Sequence, residues 1–184
     1  MPAEQVLISS GNKNTIFSGN GNDTIYITDS TNNVNAGYGN NYIKATDGGS
    51  NSIVSYGGND TIVAEGSSNT INAGAGNDVI TFDTNHSQNV IVFGNGYGQD
   101  TVTNFAEADS ISLAYGARYA SLETDGDLTI FVANNTLLLK GAKGMSVNID
   151  GEEEEVSHVT LKDKYEGSKE CLIKRSVLEI QTSI

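Results

Sequence analysis

Five side chains stand out before any element is assigned: Asp23, Asn41, Asp60, Asp78 and Asp100 each close a glycine-rich turn. They recur every 18 or 19 residues, with a longer step before Asp100. The turns read SGNGND, AGYGNN, SYGGND, AGAGND and NGYGQD. Residues repeated at this period fall above one another if each repeat is one coil of a stack, where neighbouring strands lie ~4.8 Å apart. Carboxylates that close repel one another, and a hard cation between successive turns reverses the sign. Calcium suits the place, because it accepts roughly six to eight oxygens in flexible geometry from carboxylates and backbone carbonyls. Glycine permits the positive φ angles and close approach by which a turn aims its carbonyls at an ion.

The elements that must position these groups are short strands. Aliphatic residues recur at Ile16, Ile25, Val34, Ile43, Ile53, Ile62, Ile71, Ile80, Ile91, Val102 and Ile111, nine residues apart apart from a few stretched steps. Each has a second inward position two residues later, as in Ile25 and Ile27 or Ile80 and Phe82, which is the period-two pattern of a strand. A nine-residue unit has no room for a helix, so each is one strand and one turn. Burying one isoleucine contributes about 1.5 to 3 kcal/mol, against about 1 to 2 kcal/mol of backbone entropy for each residue ordered. One unit cannot fold alone. The intervening turns end at Asn14, Asn32, Asn51, Asn69 and Asn89, so two strands make one coil and the two edges of the stack differ chemically.

AGAGNDVIT (residues 73–81) and SGNGNDTIY (residues 18–26) resemble the repeats-in-toxin (RTX) nonapeptide G-G-x-G-x-D-x-U-x. The resemblance covers roughly residues 10–112 and implies an all-β fold, a right-handed parallel β-roll, with ions held between turns on one edge. The ligand set it implies is Ser18, Gly19, Gly21 and Asp23 in the first turn, and Ala36, Gly37, Gly39 and Asn41 in the second. The third supplies Ser55, Gly58 and Asp60; the fourth Ala73, Gly74, Gly76 and Asp78; the fifth Gly96, Gly98 and Asp100. Four gaps lie between the five turns, so about three or four calcium ions are expected. The chain departs from the pattern where Ser18, Ala36, Ser55, Ala73 and Asn95 replace the first glycine and Tyr56 the second. Asn41 is a neutral ligand expected to weaken its two sites.

Charge agrees with a cation partner. Before Arg118 there are two lysines, Lys13 and Lys44, against eleven carboxylates, a net of −9 within a chain total of −13. This argues against nucleic acid and anionic membrane surfaces as ligands. On the asparagine edge, Asp29, Asp47, Glu65 and Asp83 recur at steps of 18. They either form a second cation row or lie exposed beside a ladder of asparagines bonded to one another. The second arrangement is the one expected.

A stack needs its last coil covered. Residues 101–113 and then DLTIFV, NTLLLKG and SVNIDG read as antiparallel strands that cap it. The expected organisation is a roll over 1–112, a β cap over 113–151 and a tail over 152–184. The acid run Glu152–Glu155 reads as a solvated turn, and the tail either as a type I secretion signal or as an appended segment foreign to the module, between which the sequence does not choose. The single cysteine, Cys171, excludes an internal disulfide. No apolar run spans a membrane, and no amino-terminal secretion signal is visible.

Catalytic groups are scarce. His86 and His158 are the only histidines, both expected at the surface, and neither H-E-x-x-H nor G-x-S-x-G occurs. The expected function is a non-enzymatic, monomeric module, secreted or at the cell surface, that folds on binding calcium and is exported by type I secretion machinery. A calcium-stiffened adhesin segment is the alternative, and a polysaccharide-acting β-helix enzyme fits less well.

Overall fold

Short β-branched runs bounded by glycine and asparagine turns form strands, and the computed structural model of the protein describes them over residues 3–114, 119–149, 152–153, 157–162 and 168–173. The first twelve, in chain order, are β1 (Val6–Ser9), β2 (Thr15–Phe17), β3 (Thr24–Thr28), β4 (Asn33–Tyr38), β5 (Tyr42–Thr46), β6 (Ser52–Gly57), β7 (Thr61–Ala64), β8 (Thr70–Asn72), β9 (Val79–Phe82), β10 (Val90–Phe93), β11 (Gln99–Thr103) and β12 (Ser110–Leu113). Odd-numbered strands pair in parallel in one sheet and even-numbered strands in the other. Each consecutive pair is therefore one coil of a parallel β-roll.

Register puts like residues in columns. Ile25, Ile43, Ile62, Ile80 and Val102 align in the first sheet. Val34, Ile53, Ile71, Ile91 and Ile111 align in the second. All ten are at most 1% exposed, as the aliphatic period predicts, whereas Ile16 in the first coil is only partly buried. The next inward row of the second sheet holds Ser18, Ala36, Ser55 and Ala73, all buried, then Phe93 and Leu113. The first residue of each of the first four glycine turns is thus a core position, and that explains why it is small, whereas Asn95, which opens the fifth turn, is exposed.

Beyond the roll, β13 (Ala120–Thr124), β14 (Asp127–Val132) and β15 (Asn135–Leu139) form an antiparallel meander. Asp125 and Gly126, at φ 46° and 96°, make a two-residue hairpin turn of the kind that matches strand twist. β15 also pairs in parallel with β11, and β16 (Asn148–Ile149) with β12. The cap therefore starts as a partial seventh layer and continues the core through Leu128, Ile130, Leu137 and Leu139. Residues 101–113, expected to be antiparallel, instead complete the sixth coil through β11 and β12. Period-two alternation shows that a strand has two faces, not which way its neighbour runs.

β17 (Glu152–Glu153) pairs antiparallel with β16, and β18 (Ser157–Lys162) with β19 (Ser168–Ile173), which also joins β13. Residues 154–156, 163–167 and 174–184 lie outside the described residues, and the readings of the acid run and of the secretion signal fall partly on them. Among the described residues no helix is long and apolar enough to cross a membrane.

Candidate metal centre

Stacking coils one residue-type deep brings the five turn-closing residues into one column, and all five are at most 3% exposed. Each reaches back to the coil before it. Asp23 Oδ1 accepts from the Gln5 backbone N–H at 2.9 Å, Asn41 Oδ1 from Asp23 N–H at 3.0 Å, and Asp60 Oδ1 from Asn41 N–H at 2.7 Å. Asp78 Oδ1 accepts from Asp60 N–H at 2.8 Å and Asp100 Oδ1 from Asp78 N–H at 3.0 Å. One oxygen of each side chain is thereby committed to the fold.

The other oxygen is not. The Oδ2 atoms of Asp23, Asp60 and Asp78 are buried without a hydrogen-bond partner, a costly state for a carboxylate unless a cation or a proton meets it. Desolvation pushes the Asp78 carboxyl up to about 8, against the Asp60 N–H bond that lowers it, with repulsion from Asp100 and Asp60 adding to the rise. Asp100 rises to about 7, again chiefly by burial. Burial also raises Asp60, partly offset by Ser55 and Asn41. Those two side chains lie nearby but donate elsewhere, Ser55 Oγ to Gly37 O at 3.3 Å and Asn41 Nδ2 to Gly39 O at 3.0 Å, so Asp60 Oδ2 stays unmet. Three buried acids of one column keep an unmet oxygen, and two of them, Asp60 and Asp78, are neighbours, an arrangement that fits a divalent cation. Among the described residues no three His, Cys, Asp or Glu side chains converge. An ion here would therefore take most of its oxygens from backbone carbonyls, as calcium does.

The glycines make the approach possible. Gly21, Gly39, Gly58, Gly76 and Gly98 stand two residues before the column and have φ between 104° and 152°. A Cβ on Gly76 would lie 1.8 Å from Gly58 O, and one on Gly98 1.7 Å from Gly76 O, so no other residue fits this stack. In the third turn, β4 and β6 shift register around Gly37. Tyr56 is accommodated half-exposed there, its ring centroid 5.6 Å from that of Tyr38.

The opposite edge is built from amides. Asn32, Asn51 and Asn69 are buried, and their Oδ1 atoms accept from the backbone N–H of Asn14, Asn32 and Asn51 at 2.9, 2.9 and 3.0 Å. The ladder thus runs from side chain to backbone, unlike the expected side chain to side chain bonding. Three Nδ2 groups donate to carbonyls of their own turns, Asn14 to Ser10 and Gly11, Asn32 to Thr28 and Asp29, and Asn69 to Glu65 and Gly66, whereas that of Asn51 is buried without a partner. The acids of this edge are tied individually. Asp29 accepts from Gly11 N–H, Asp83 from Gly66 N–H, and Glu65 pairs with Lys44 at 3.5 Å.

Two features escaped sequence reading. The residue before each column acid is itself a ladder: Asn22, Asn40, Asn59 and Asn77 Oδ1 accept from the backbone N–H of Asn40, Asn59, Asn77 and Gln99. The recurring GN before each acid carried that signal. His86 is not a surface residue; its side chain is 2% exposed, with Nε2 2.7 Å from Asp109 Oδ2 and Nδ1 against the Asp83 carbonyl. Asp109 ends the asparagine column, accepting from Asn89 N–H at 2.8 Å, and the imidazole meets the oxygen that an amide would not have had.

Comparison with known proteins agrees with the turn chemistry. The family model of the RTX calcium-binding nonapeptide repeat matches four copies over residues 6–27 and 45–80. These segments contain the turns of Asp23, Asp60 and Asp78, and the Asn41 turn lies between them. Among solved structures the chain is similar to the extracellular lipase LipA from Serratia marcescens, with a TM-score of 0.44 and 12% identity over 75% of this chain. The likeness covers 36% of the lipase, about a third of its length. No curated protein matches the sequence.

Proposed function

We propose that this chain, in which the RTX calcium-binding nonapeptide repeat model matches four copies, folds on taking up calcium outside the cell and forms the carboxyl-terminal part of a protein exported by a type I route. The observation that carries the reading is the buried aspartate column, in which Asp23, Asp60 and Asp78 each keep one oxygen without a partner. Asp60, Asp78 and Asp100 supply paired carboxylates to the ions, Asp23 offers a single one, and the carbonyls of the glycine turns supply the rest. Extracellular calcium modules work at dissociation constants of roughly 0.1 to 1 mM, so such a site is empty in the cytoplasm and filled outside. A ligand that binds only the folded state stabilises it by about 2.7 kcal/mol per site at a hundredfold excess over its dissociation constant. The chain contributes ion binding and rigidity rather than catalysis.

The test is a circular dichroism titration with calcium, then export of a passenger fused to the chain. Calcium should convert coil to β structure and chelator should reverse it. Deleting residues 156–184 should abolish export. A passenger exported equally well without them would remove the secretion reading and leave a calcium-stiffened spacer of a surface protein.

A further inference from the structure

We propose that Asn41 takes the place of an ion: its side-chain amide holds its turn together as a cation does in the aspartate turns, and so splits the calcium row in two. The proposal rests on the calcium reading above. The amide orientation is fixed by its surroundings. Asn41 Oδ1 accepts from Asp23 N–H, while Nδ2 donates to Gly39 O at 3.0 Å and lies 3.2 Å from Ser55 Oγ. Turning the amide over would set NH2 against the Asp23 N–H and oxygen against the Gly39 carbonyl, losing all of these bonds. An amide held this way presents hydrogens, not lone pairs, to the space where a metal would sit. Asn41 is therefore not a weak ligand, as its neutral charge first suggests, but a blocking group.

The surroundings agree. Ser55, in the same gap, sends its hydroxyl to Gly37 O at 3.3 Å, where the equivalent residue in the gap between Asp60 and Asp78 is Ala73. Gln5 does the same work at the start of the column. It stands opposite Asp23, as Val6 stands opposite Thr24, and its side-chain amide donates to Ser18 O at 2.8 Å. The device matches that of the asparagine edge, where Asn14, Asn32 and Asn69 tie their own turn carbonyls. At the far end Asp100 is aligned with Leu137, so no acid continues the row. Paired carboxylates occur only in the gaps from Asp60 to Asp78 and from Asp78 to Asp100. Asp23 stands alone between two amides, with its own unmet oxygen. The row is thus a two-gap block plus one isolated carboxylate.

Calorimetric and mass-spectrometric counting of calcium on the full chain tests this, with Asn41→Asp and Asn41→Ala beside the wild type. Asn41→Asp should bind at least one more ion, lose more stability in chelator than the wild type, and regain it at millimolar calcium. Asn41→Ala should lose stability that no calcium concentration restores. In the wild type, the Asn41 side-chain amide protons should remain slow to exchange at saturating calcium. An unchanged ion count in a folded Asn41→Asp would overturn the proposal. So would fast exchange of those protons on calcium loading, because the amide would then have turned aside to admit an ion. Failure of the wild type to take up any calcium would overturn the calcium reading as well, whereas wild-type uptake without an extra ion in Asn41→Asp overturns only this inference.

Discussion

The two edges of the roll solve one problem with different chemistry. Both must join coils through buried turns, and both do so with a side-chain oxygen that caps the backbone N–H of the neighbouring coil, at Asp78 on one edge and Asn69 on the other. They part company over the second polar atom. An amide carries its own donors, and Asn69 spends them on the Glu65 and Gly66 carbonyls. A carboxylate has none, and the second oxygen of Asp78 is left buried and unmet. Apart from the Asn51 Nδ2, the amides described on one edge find their partners within the polypeptide, while the other edge leaves three carboxylate oxygens for a partner from solution to meet. On the proposed calcium reading, the edge of acids ties folding to the ion content of the medium.

The largest effect expected from breaking this contrast is on the acid edge. Asp60→Ala together with Asp78→Ala removes two ladder bonds and two of the three acids of the carboxylate-paired gaps, leaving Asp100. Each tenfold change in binding corresponds to about 1.4 kcal/mol, and the calcium needed for half-folding should rise at least tenfold in a circular dichroism titration. The dependence of stability on calcium concentration should also flatten, since fewer ions are linked to folding.

Next in size is the amide edge. Asn69→Ala strands the Asn51 N–H and two turn carbonyls, at about 1 to 3 kcal/mol for each buried group left unsatisfied. The urea midpoint should fall, yet the calcium dependence should stay parallel to that of the wild type. A flattened dependence there would mean that ions sit on this edge too.

The third effect is on pH. In the metal-free fold Asp78 is raised to about 8 and Asp100 to about 7, from 3.8. Acids raised on folding favour the folded state while protonated, and that contribution is lost as pH rises through about 7 and 8. In chelator, the ordered fraction measured by circular dichroism should accordingly be larger at pH 5 than at pH 8. Calcium uptake should run the other way, stronger at pH 8, because ions displace those protons. The smallest effect is at the surface: the Lys44 and Glu65 pair, 3.5 Å apart and partly exposed, should shift thermal stability by less than about 1 kcal/mol when Lys44 is replaced by Ala.

The parts of this arrangement legible in the sequence are those that repeat. Isoleucine at fixed steps marks the core columns, and acids and glycines at twice that step mark one edge, because a stack converts period directly into adjacency. What was not legible depends on where single atoms point. That Asn41 faces its nitrogen to Gly39, or that the residue before each acid also forms a ladder, follows from side-chain orientation, which spacing does not encode. His86 looked exposed because it sits in a polar turn, and only the sixth coil, 23 residues on, supplies the Asp109 that buries it. β15 joins β11 across an intervening hairpin, a pairing that local pattern cannot show.

The most direct measurement is a thermal melt at pH 7.5 of the metal-stripped chain in chelator beside the same chain in millimolar calcium. A cooperative β-to-coil transition that needs the metal is the expected result. Identical strand content and identical melting temperature in the two samples would contradict the dependence of the aspartate edge on calcium.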